Sequence, residues 1–171
     1  MSELVSTNWV YKNLNNRKLV ILDCSWHMPQ EKRDAKKEYG KMHIKNTYFF
    51  DIDKISDIKT NLPHMLPSQR KFEEKVRSFG INQNSLIVTY DVKGIFSSPR
   101  VWWMFKYFGH KNIFVLNGGL KKWLKEKKTV TNKKTYFKKG NFISRLSKEW
   151  LITKNEVLES INRKKSLTLD A

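Results

Sequence analysis

Cysteine is the residue type best suited to nucleophilic chemistry, and the 171-residue chain contains one, Cys24. A lone cysteine can form neither an intramolecular disulfide nor a cluster of thiolates around a metal ion. As a thiolate it could attack a substrate and form a covalent intermediate. Cys24 directly follows the apolar run at residues 19–23, however. That position favours a small buried core side chain over a reactive thiol.

Ser97, His64 and Asp53 are the residue types of a hydrolase triad, in which histidine takes the proton from a serine nucleophile. A nucleophilic serine on an α/β sheet normally lies on a strained Gly-x-Ser-x-Gly turn, and no such turn surrounds Ser97. Phosphatase chemistry on a similar loop would need a cysteine and an arginine that residues 91–97 do not supply. Both hydrolytic functions are therefore disfavoured.

The charge balance is strongly basic, with 34 lysines and arginines against 16 acidic residues and a formal net charge of +18. Such an excess could attract nucleic acid or an anionic membrane surface. The lysines occur along the whole chain, most densely at 121–139, and no nucleic-acid-binding motif accompanies them. We therefore favour a lysine-rich solvated surface and expect no nucleic-acid partner.

The N-terminal residues lack the basic region and apolar run of a secretory signal, and no stretch approaches the ~20 apolar residues of a membrane span. We expect a cytoplasmic domain with no membrane partner, no metal site and no cofactor.

Short apolar runs alternate with amphipathic helical patterns along the chain. The runs at 19–23, 47–50, 86–90 and 113–116 predict strands, and helices are predicted after Ser6 or Thr7, after the caps Ser68, Ser98 and Thr153, and from Leu120. This alternation predicts an α/β fold with a mainly parallel central sheet and helices on both faces. Ligands on such sheets bind beyond the carboxyl ends of the strands, so the loop after Tyr90 is the first candidate site.

The C-terminal third predicts a change of domain. Residues 128–149 are rich in lysine and predict a linker between a first domain at 1–127 and the start of a second unit at 150–171. The run at 166–170 repeats the pattern of 19–23, an apolar strand ending in aspartate. We expect the second unit to continue beyond this sequence.

Several segments resemble, in the same order, the amino-terminal domain of the two-domain thiosulfate and 3-mercaptopyruvate sulfurtransferases of the rhodanese family. The segments are Leu22-Asp23-Cys24-Ser25-Trp26, Phe49-Phe50-Asp51-Ile52-Asp53, Pro63-His64-Met65-Leu66-Pro67, Ser98-Pro99-Arg100-Val101-Trp102-Trp103-Met104-Phe105 and Asn117-Gly118-Gly119-Leu120. The resemblance implies a rhodanese-like fold for 1–127 and identifies 150–171 as the truncated start of a second rhodanese-like domain.

Rhodanese chemistry requires a cysteine thiolate at the head of a loop whose N–H groups stabilise the anion. The resemblance places Asp91 where that cysteine would lie. It implies that this chain is the inactive N-terminal half of a sulfurtransferase whose second domain supplies the cysteine. The small-molecule partners would be a sulfur donor, 3-mercaptopyruvate or thiosulfate, and a thiol or cyanide acceptor. A non-catalytic binding or regulatory module is the alternative.

Three further residues are candidates for supporting the active site. By resemblance, Asp53 and His64 lie near the domain interface, where they would polarise a substrate carbonyl or relay a proton, although His64 could instead only anchor its loop. Arg100 occupies the first turn of its helix, where it could hold Asp91 or face the partner domain; a structural role is favoured.

Overall fold

The computed structural model describes residues 2–136, 138–163 and 166–167. The strands are β1 (Leu4–Val5), β2 (Leu19–Asp23), β3 (Thr47–Phe49), β4 (Leu86–Tyr90) and β5 (Ile113–Leu116). The α-helices are α1 (Thr7–Asn13), α2 (Ala35–Lys41), α3 (Gln69–Ser78), α4 (Ser98–Tyr107), α5 (Gly119–Lys125) and α6 (Lys154–Asn162). Two short 3-10 helices lie at Pro29–Glu31 and Lys148–Trp150.

The five strands form one sheet in the order β1-β5-β4-β2-β3, and every pairing is parallel. The predicted α/β architecture with a mainly parallel sheet is thus confirmed. The two-residue strand β1 was not predicted because it is too short to show a period. The helix α2 was not predicted because it buries no residue and so shows no apolar stripe.

Side chains of β2 alternate between two hydrophobic clusters, as the period of a strand requires. Leu19 and Ile21 pack in the cluster that includes Val10 of α1 and Trp123 of α5. Val20 and Leu22 pack in the cluster built from α3 and α4, which includes Phe72, Val101 and Phe105. Helices therefore cover both faces of the sheet, and burial of each large apolar side chain contributes about 1.5–3 kcal/mol.

Ser6, Ser68 and Thr153 cap α1, α3 and α6 as predicted, since each hydroxyl accepts a backbone N–H of the first turn. The prediction that Ser98 caps α4 was wrong by one residue. The helix begins at Ser98, and the preceding Ser97 makes no side-chain cap. The N–H groups of Ser97 and Ser98 donate to Asp91. Pro99 has no N–H, and the N–H of Arg100, which a capping hydroxyl of Ser97 would accept, donates to the Ser97 carbonyl instead.

The lysine-rich segment 128–149 packs against the first unit. Phe142 is fully buried in the α3/α4 cluster, and Thr131 pairs with His43 in an isolated antiparallel bridge. The backbone N–H and the hydroxyl of Ser144 both donate to Glu73 of α3. This segment therefore adds to the core of the domain, while the boundaries 1–127, 128–149 and 150–171 stay a prediction.

Part of the predicted strand at 166–170 lies outside the described residues. Ser166 and Leu167 are described and belong to neither a helix nor a strand.

Candidate functional site

The candidate site lies at the carboxyl edge of the sheet, where the loops after β2 and β4 meet. Asp23 and Tyr90 are register partners at the ends of these two strands, so the residues that follow them emerge side by side. Ser25 joins the loops, because its hydroxyl oxygen accepts the backbone N–H of Val92 at 3.1 Å. From the second loop, the hydroxyl of Ser97 donates to the carbonyl of Cys24 at 2.7 Å.

The carboxylate of Asp91 occupies the centre of the loop that follows β4. Its Oδ1 accepts the backbone N–H groups of Lys93 at 2.9 Å and Gly94 at 2.8 Å. Its Oδ2 accepts the N–H groups of Phe96, Ser97 and Ser98 at 2.8, 3.1 and 3.0 Å, and the hydroxyl of Ser98 at 2.6 Å. We call these six donors the Asp91 cradle.

The Asp91 cradle keeps its carboxylate ionised although the residue is only 1% exposed. Burial by itself raises the pKa of Asp91, but the hydroxyl of Ser98 and the N–H groups of Phe96, Ser98 and Gly94 together lower it below its ordinary value of 3.8. Donors that point at one buried anion favour its charged form. The same donors could stabilise a thiolate or persulfide at this position.

Gly119 closes the far side of the Asp91 cradle. A Cβ at Gly119 would lie 2.3 Å from the carbonyl oxygen of Asp91 and 2.8 Å from that of Gly94, so only glycine fits. Its φ of 53° also lies in the left-handed region that glycine adopts readily. The next residue, Leu120, donates its N–H to the Asp91 carbonyl at 2.9 Å.

Asp53 and His64 form a second, open part of the site. Nε2 of His64 lies 2.7 Å from Oδ1 of Asp53. The indole Nε1 of Trp26 donates to the same oxygen at 3.3 Å, and its ring meets the His64 imidazole edge-on at 5.1 Å. The side chains of His64 and Asp53 are 30% and 63% exposed, so this pair is accessible from solvent.

Arg100 contacts the loop of His64. Its guanidinium donates to the His64 carbonyl and lies over the Trp103 ring at 4.5 Å, and burial lowers its pKa. His64 has a φ of 57°, a left-handed conformation that costs a non-glycine residue about 1–2 kcal/mol. Arg100 therefore bonds to His64 and not to Asp91, so the possibility that it holds Asp91 is wrong.

Cys24 is fully buried and its Sγ lies 3.5 Å from the carbonyl of Leu22. Burial, reinforced by the nearby charges of Asp23 and Asp91, raises the pKa of its thiol well above the usual value. A protonated, inaccessible thiol is a poor nucleophile. The hydroxyl of Ser97 is directed to the Cys24 carbonyl, so Ser97, His64 and Asp53 do not form a hydrogen-bonded triad.

Across the described ranges, no group of three or more His, Cys, Asp and Glu side chains could hold a metal ion. In that same part of the chain, no helix is both long enough and apolar enough to cross a membrane.

A family model for the rhodanese-like domain matches residues 6–126. The chain belongs to the rhodanese-like domain family. The thiosulfate/3-mercaptopyruvate sulfurtransferase 1, mitochondrial, of Arabidopsis thaliana is 50% identical over 120 residues, which are 70% of this chain and 32% of that protein. The 3-mercaptopyruvate sulfurtransferase of Mus musculus is 34% identical over 174 residues, covering 98% of this chain and 59% of that protein.

The structural comparison gives the same family. The crystal structure of SseA from Escherichia coli, described as a 3-mercaptopyruvate sulfotransferase, matches with a TM-score of 0.90 and 29% identity. The match covers 96% of this chain and 63% of that one. This rhodanese-like chain thus has thiosulfate and 3-mercaptopyruvate sulfurtransferases as relatives, and it spans about a third to three fifths of the length of those two sequence relatives.

Sequence reasoning missed three contributors to this rhodanese-like site. Trp26 and Gly119 were noticed only as parts of motifs, and Lys93 was not singled out. The Nζ of Lys93 lies 2.6 Å from Oε1 of Glu31, which ties the Asp91 loop to the first 3-10 helix. The consecutive glycines at 118–119 were the one local signal, since such pairs mark turns where backbones approach closely.

Proposed function

We propose that this chain is the non-catalytic N-terminal half of a sulfurtransferase. The whole protein would transfer sulfane sulfur from 3-mercaptopyruvate or thiosulfate to a thiol or cyanide through a cysteine persulfide. The observation that carries the proposal is the Asp91 cradle. Its six donors are of the kind that stabilise a sulfur anion, and here all six donate to a carboxylate. A carboxylate cannot take up sulfur as a persulfide, so the nucleophilic cysteine would lie on a second rhodanese-like domain.

The proposed reaction has two steps. In the first, the cysteine thiolate attacks the sulfur of the donor and takes it as a persulfide, while sulfite leaves from thiosulfate or pyruvate leaves from mercaptopyruvate. With mercaptopyruvate, the C–S bond breaks and the thiol proton of the donor ends on the carbon of the departing enolate. In the second, an acceptor thiolate or cyanide attacks the outer sulfur and regenerates the cysteine thiolate.

In this scheme Asp53 and His64 support the chemistry of the second domain. The imidazole, oriented by the carboxylate at 2.7 Å, would polarise the ketone of mercaptopyruvate or carry its proton. Thiosulfate has no carbonyl group, so the pair would matter more for mercaptopyruvate. A catalytic role of His64 therefore favours mercaptopyruvate over thiosulfate as the sulfur donor.

Exposed apolar side chains support the docking of a second domain. Ile95 and Phe96 in the Asp91 loop are 47% and 50% exposed, and Leu158 and Ile161 of α6 are 55% and 52% exposed. The two members of each pair are neighbours along the loop or on the helix face, and contiguous exposed apolar surface commonly marks an interaction site. We expect the isolated chain to associate or to bind a hydrophobic dye, and a strictly monomeric, dye-silent protein would count against this part of the proposal.

The first experiment is a sulfur-transfer assay on the purified chain, with thiosulfate or mercaptopyruvate as donor and cyanide or a thiol as acceptor. We expect no activity from the chain alone and activity after fusion to a cysteine-bearing second rhodanese domain. Clear activity of the chain alone that vanished in Cys24→Ser would overturn the proposal. In the fusion, an unchanged mercaptopyruvate rate for His64→Ala would eliminate the role of the pair.

The alternative is a non-catalytic binding or regulatory module, for which the same filled cradle and exposed loop would serve as a docking surface. A fusion that stays inactive although its second domain forms a persulfide would favour this alternative.

We propose the cytoplasm as the compartment of this protein. The name of the Arabidopsis relative places that protein in mitochondria.

A further inference from the structure

We infer that Arg100 is the positioning residue of the Asp53–His64 pair, which it orients by holding the main chain of His64. The inference rests on the proposed function for its catalytic consequence, but its structural part can be tested without activity. Arg100 touches no reacting group in this arrangement and acts through His64.

The environment of Arg100 matches a positioning role better than a charge-pairing role. Within the described part of the chain, no carboxylate oxygen lies within 4.0 Å of its guanidinium, and its Nε is buried without a partner. Its guanidinium donates to the carbonyl of His64 and stacks on the Trp103 ring. A planar guanidinium held on an aromatic face presents its N–H groups in a defined direction.

Apart from the contacts of the His64 ring with Asp53 and Trp26, the loop at 57–66 has few anchors. Met65 accepts the N–H of Asp57 at 2.9 Å, and the side chain of Leu66 packs against the core, whereas Ile58 and Leu62 are 76% and 61% exposed. His64 itself adopts a left-handed backbone. A contact to its carbonyl therefore holds the residue in a conformation that the surrounding loop constrains only weakly.

The other end of the contact is firmly supported. Trp103 donates its indole Nε1–H to the carbonyl of Trp150 at 2.6 Å, and the Trp150 ring meets Trp102 edge-on at 5.3 Å. Arg100 and Trp103 both belong to α4, whose first turn is bound by Asp91. The contact of Arg100 therefore fixes the position of His64 relative to a rigid helix. Residues built on rigid elements hold a catalytic geometry more closely than residues on loops.

The test compares Arg100→Gln and Arg100→Lys with the control Arg70→Gln, which removes an exposed arginine bonded to Glu74 on α3. The first readout is the NMR signals of the His64 imidazole and the Trp26 indole in the 171-residue chain. We expect both to shift in Arg100→Gln, to shift less in Arg100→Lys, and to match the wild type in Arg70→Gln. The signals of Trp9 and Trp123, on the opposite face of the sheet, should not move.

Two results of the NMR comparison would overturn the inference. One is unchanged His64 and Trp26 signals in either Arg100 variant. The other is an equal shift of the Trp9 and Trp123 signals, which would make Arg100 a general folding residue. If Arg100→Gln fails to fold, the milder Arg100→Lys still decides, because it keeps the charge and the aliphatic stem but loses the planar fork.

The second readout is mercaptopyruvate turnover in the fusion with a cysteine-bearing domain. We expect Arg100→Gln to lower kcat about 10- to 100-fold, the effect of a misplaced catalytic group. KM should change less than about 3-fold, because Arg100 does not bind the donor. The double variant with His64→Ala should be no slower than His64→Ala alone, since both changes affect one unit. Independent, multiplying losses would contradict the inference.

The two readouts separate the inference from the proposed function. If His64→Ala leaves the rate unchanged while Arg100→Gln shifts the His64 and Trp26 signals, the catalytic role of the pair is wrong and the positioning contact stands. If His64→Ala abolishes turnover while Arg100→Gln leaves the signals and the rate unchanged, the pair is catalytic and Arg100 does not position it.

Discussion

The Asp91 cradle and the Asp53–His64 pair lie at the same edge of the sheet and treat a carboxylate in opposite ways. Asp91 is 1% exposed and saturated by six donors from one loop and one helix. The side chain of Asp53 is 63% exposed and shares one oxygen with His64 and Trp26. A saturated buried anion stabilises the fold and has no capacity left for chemistry, whereas a sparsely bonded, accessible pair contributes little to stability and stays available to a substrate.

Removing the carboxylate of Asp91 is the largest test of this contrast. Asp91→Ala leaves five backbone N–H groups and one hydroxyl without their acceptor, and we expect the free energy of unfolding to fall by at least about 3 kcal/mol. Urea denaturation measures the loss. Asp34→Ala is the matched control, because Asp34 caps α2 from an exposed position and its removal should cost about 1 kcal/mol. Equal losses in the two variants would show that the Asp91 cradle stabilises the fold no more than an exposed helix cap does.

Replacing Asp91 by cysteine tests whether the cradle can serve a sulfur anion. In Asp91→Cys combined with Cys24→Ala, the same N–H groups should lower the pKa of the introduced thiol and make it reactive. We expect fast alkylation and a persulfide after thiosulfate treatment, detected by mass spectrometry. Wild-type Cys24, whose pKa is raised by burial, should react slowly until the protein unfolds. A folded double variant that is as inert as the wild type would mean that the loop stabilises only carboxylates.

The two buried aspartates should give opposite dependences of stability on pH. Hydrogen bonds hold the pKa of Asp91 below 3.8 in the folded state, so its stabilisation is complete above that value and is lost as the pH falls through the folded pKa. Burial raises the pKa of Asp23 above 3.8 in the folded state. The contribution of Asp23 to stability is therefore complete below 3.8 and is lost as the pH rises through the folded pKa.

Urea denaturation between about pH 3 and about pH 7 measures both contributions. Asp91→Asn should reduce the loss of stability on the acid side, and Asp23→Asn should remove the opposing slope. Identical profiles in the two variants would mean that the two carboxyl groups share one environment.

Asp53→Asn and His64→Ala should have the smallest effects on stability. Hydrogen-bonded pairs of exposed polar or charged side chains contribute about 0–1 kcal/mol, so we expect unfolding free energies within about 1 kcal/mol of the wild type. A loss comparable to that of Asp91→Ala would erase the distinction between a structural and an available carboxylate. Thermal denaturation of the three variants side by side provides the comparison.

Much of the fold could be predicted because its signals are local. The apolar runs of β2 and β4 and the hydroxyl caps Ser6, Ser68 and Thr153 can be recognised within a few residues, and the structure has them as expected. The start of α4 was misplaced because its first N–H groups bind Asp91, seven residues before Ser98. The burial of Phe142 was missed because it lies in a lysine-rich segment with no apolar period.

The order and type of the main elements, the parallel sheet and the aspartate at the head of the loop after β4 all follow from local features of the amino-acid sequence. Which groups meet at the site depends on the packing of the whole domain. Trp26 and Asp53 lie 27 residues apart, Arg100 and His64 lie 36 apart, and Val92 and Ser25 lie 67 apart along the chain. A periodic pattern records which face a side chain occupies, because that depends on its near neighbours. Hydrogen bonds between distant loops depend on how the packed sheet and helices bring the loops together, and no local pattern records that approach.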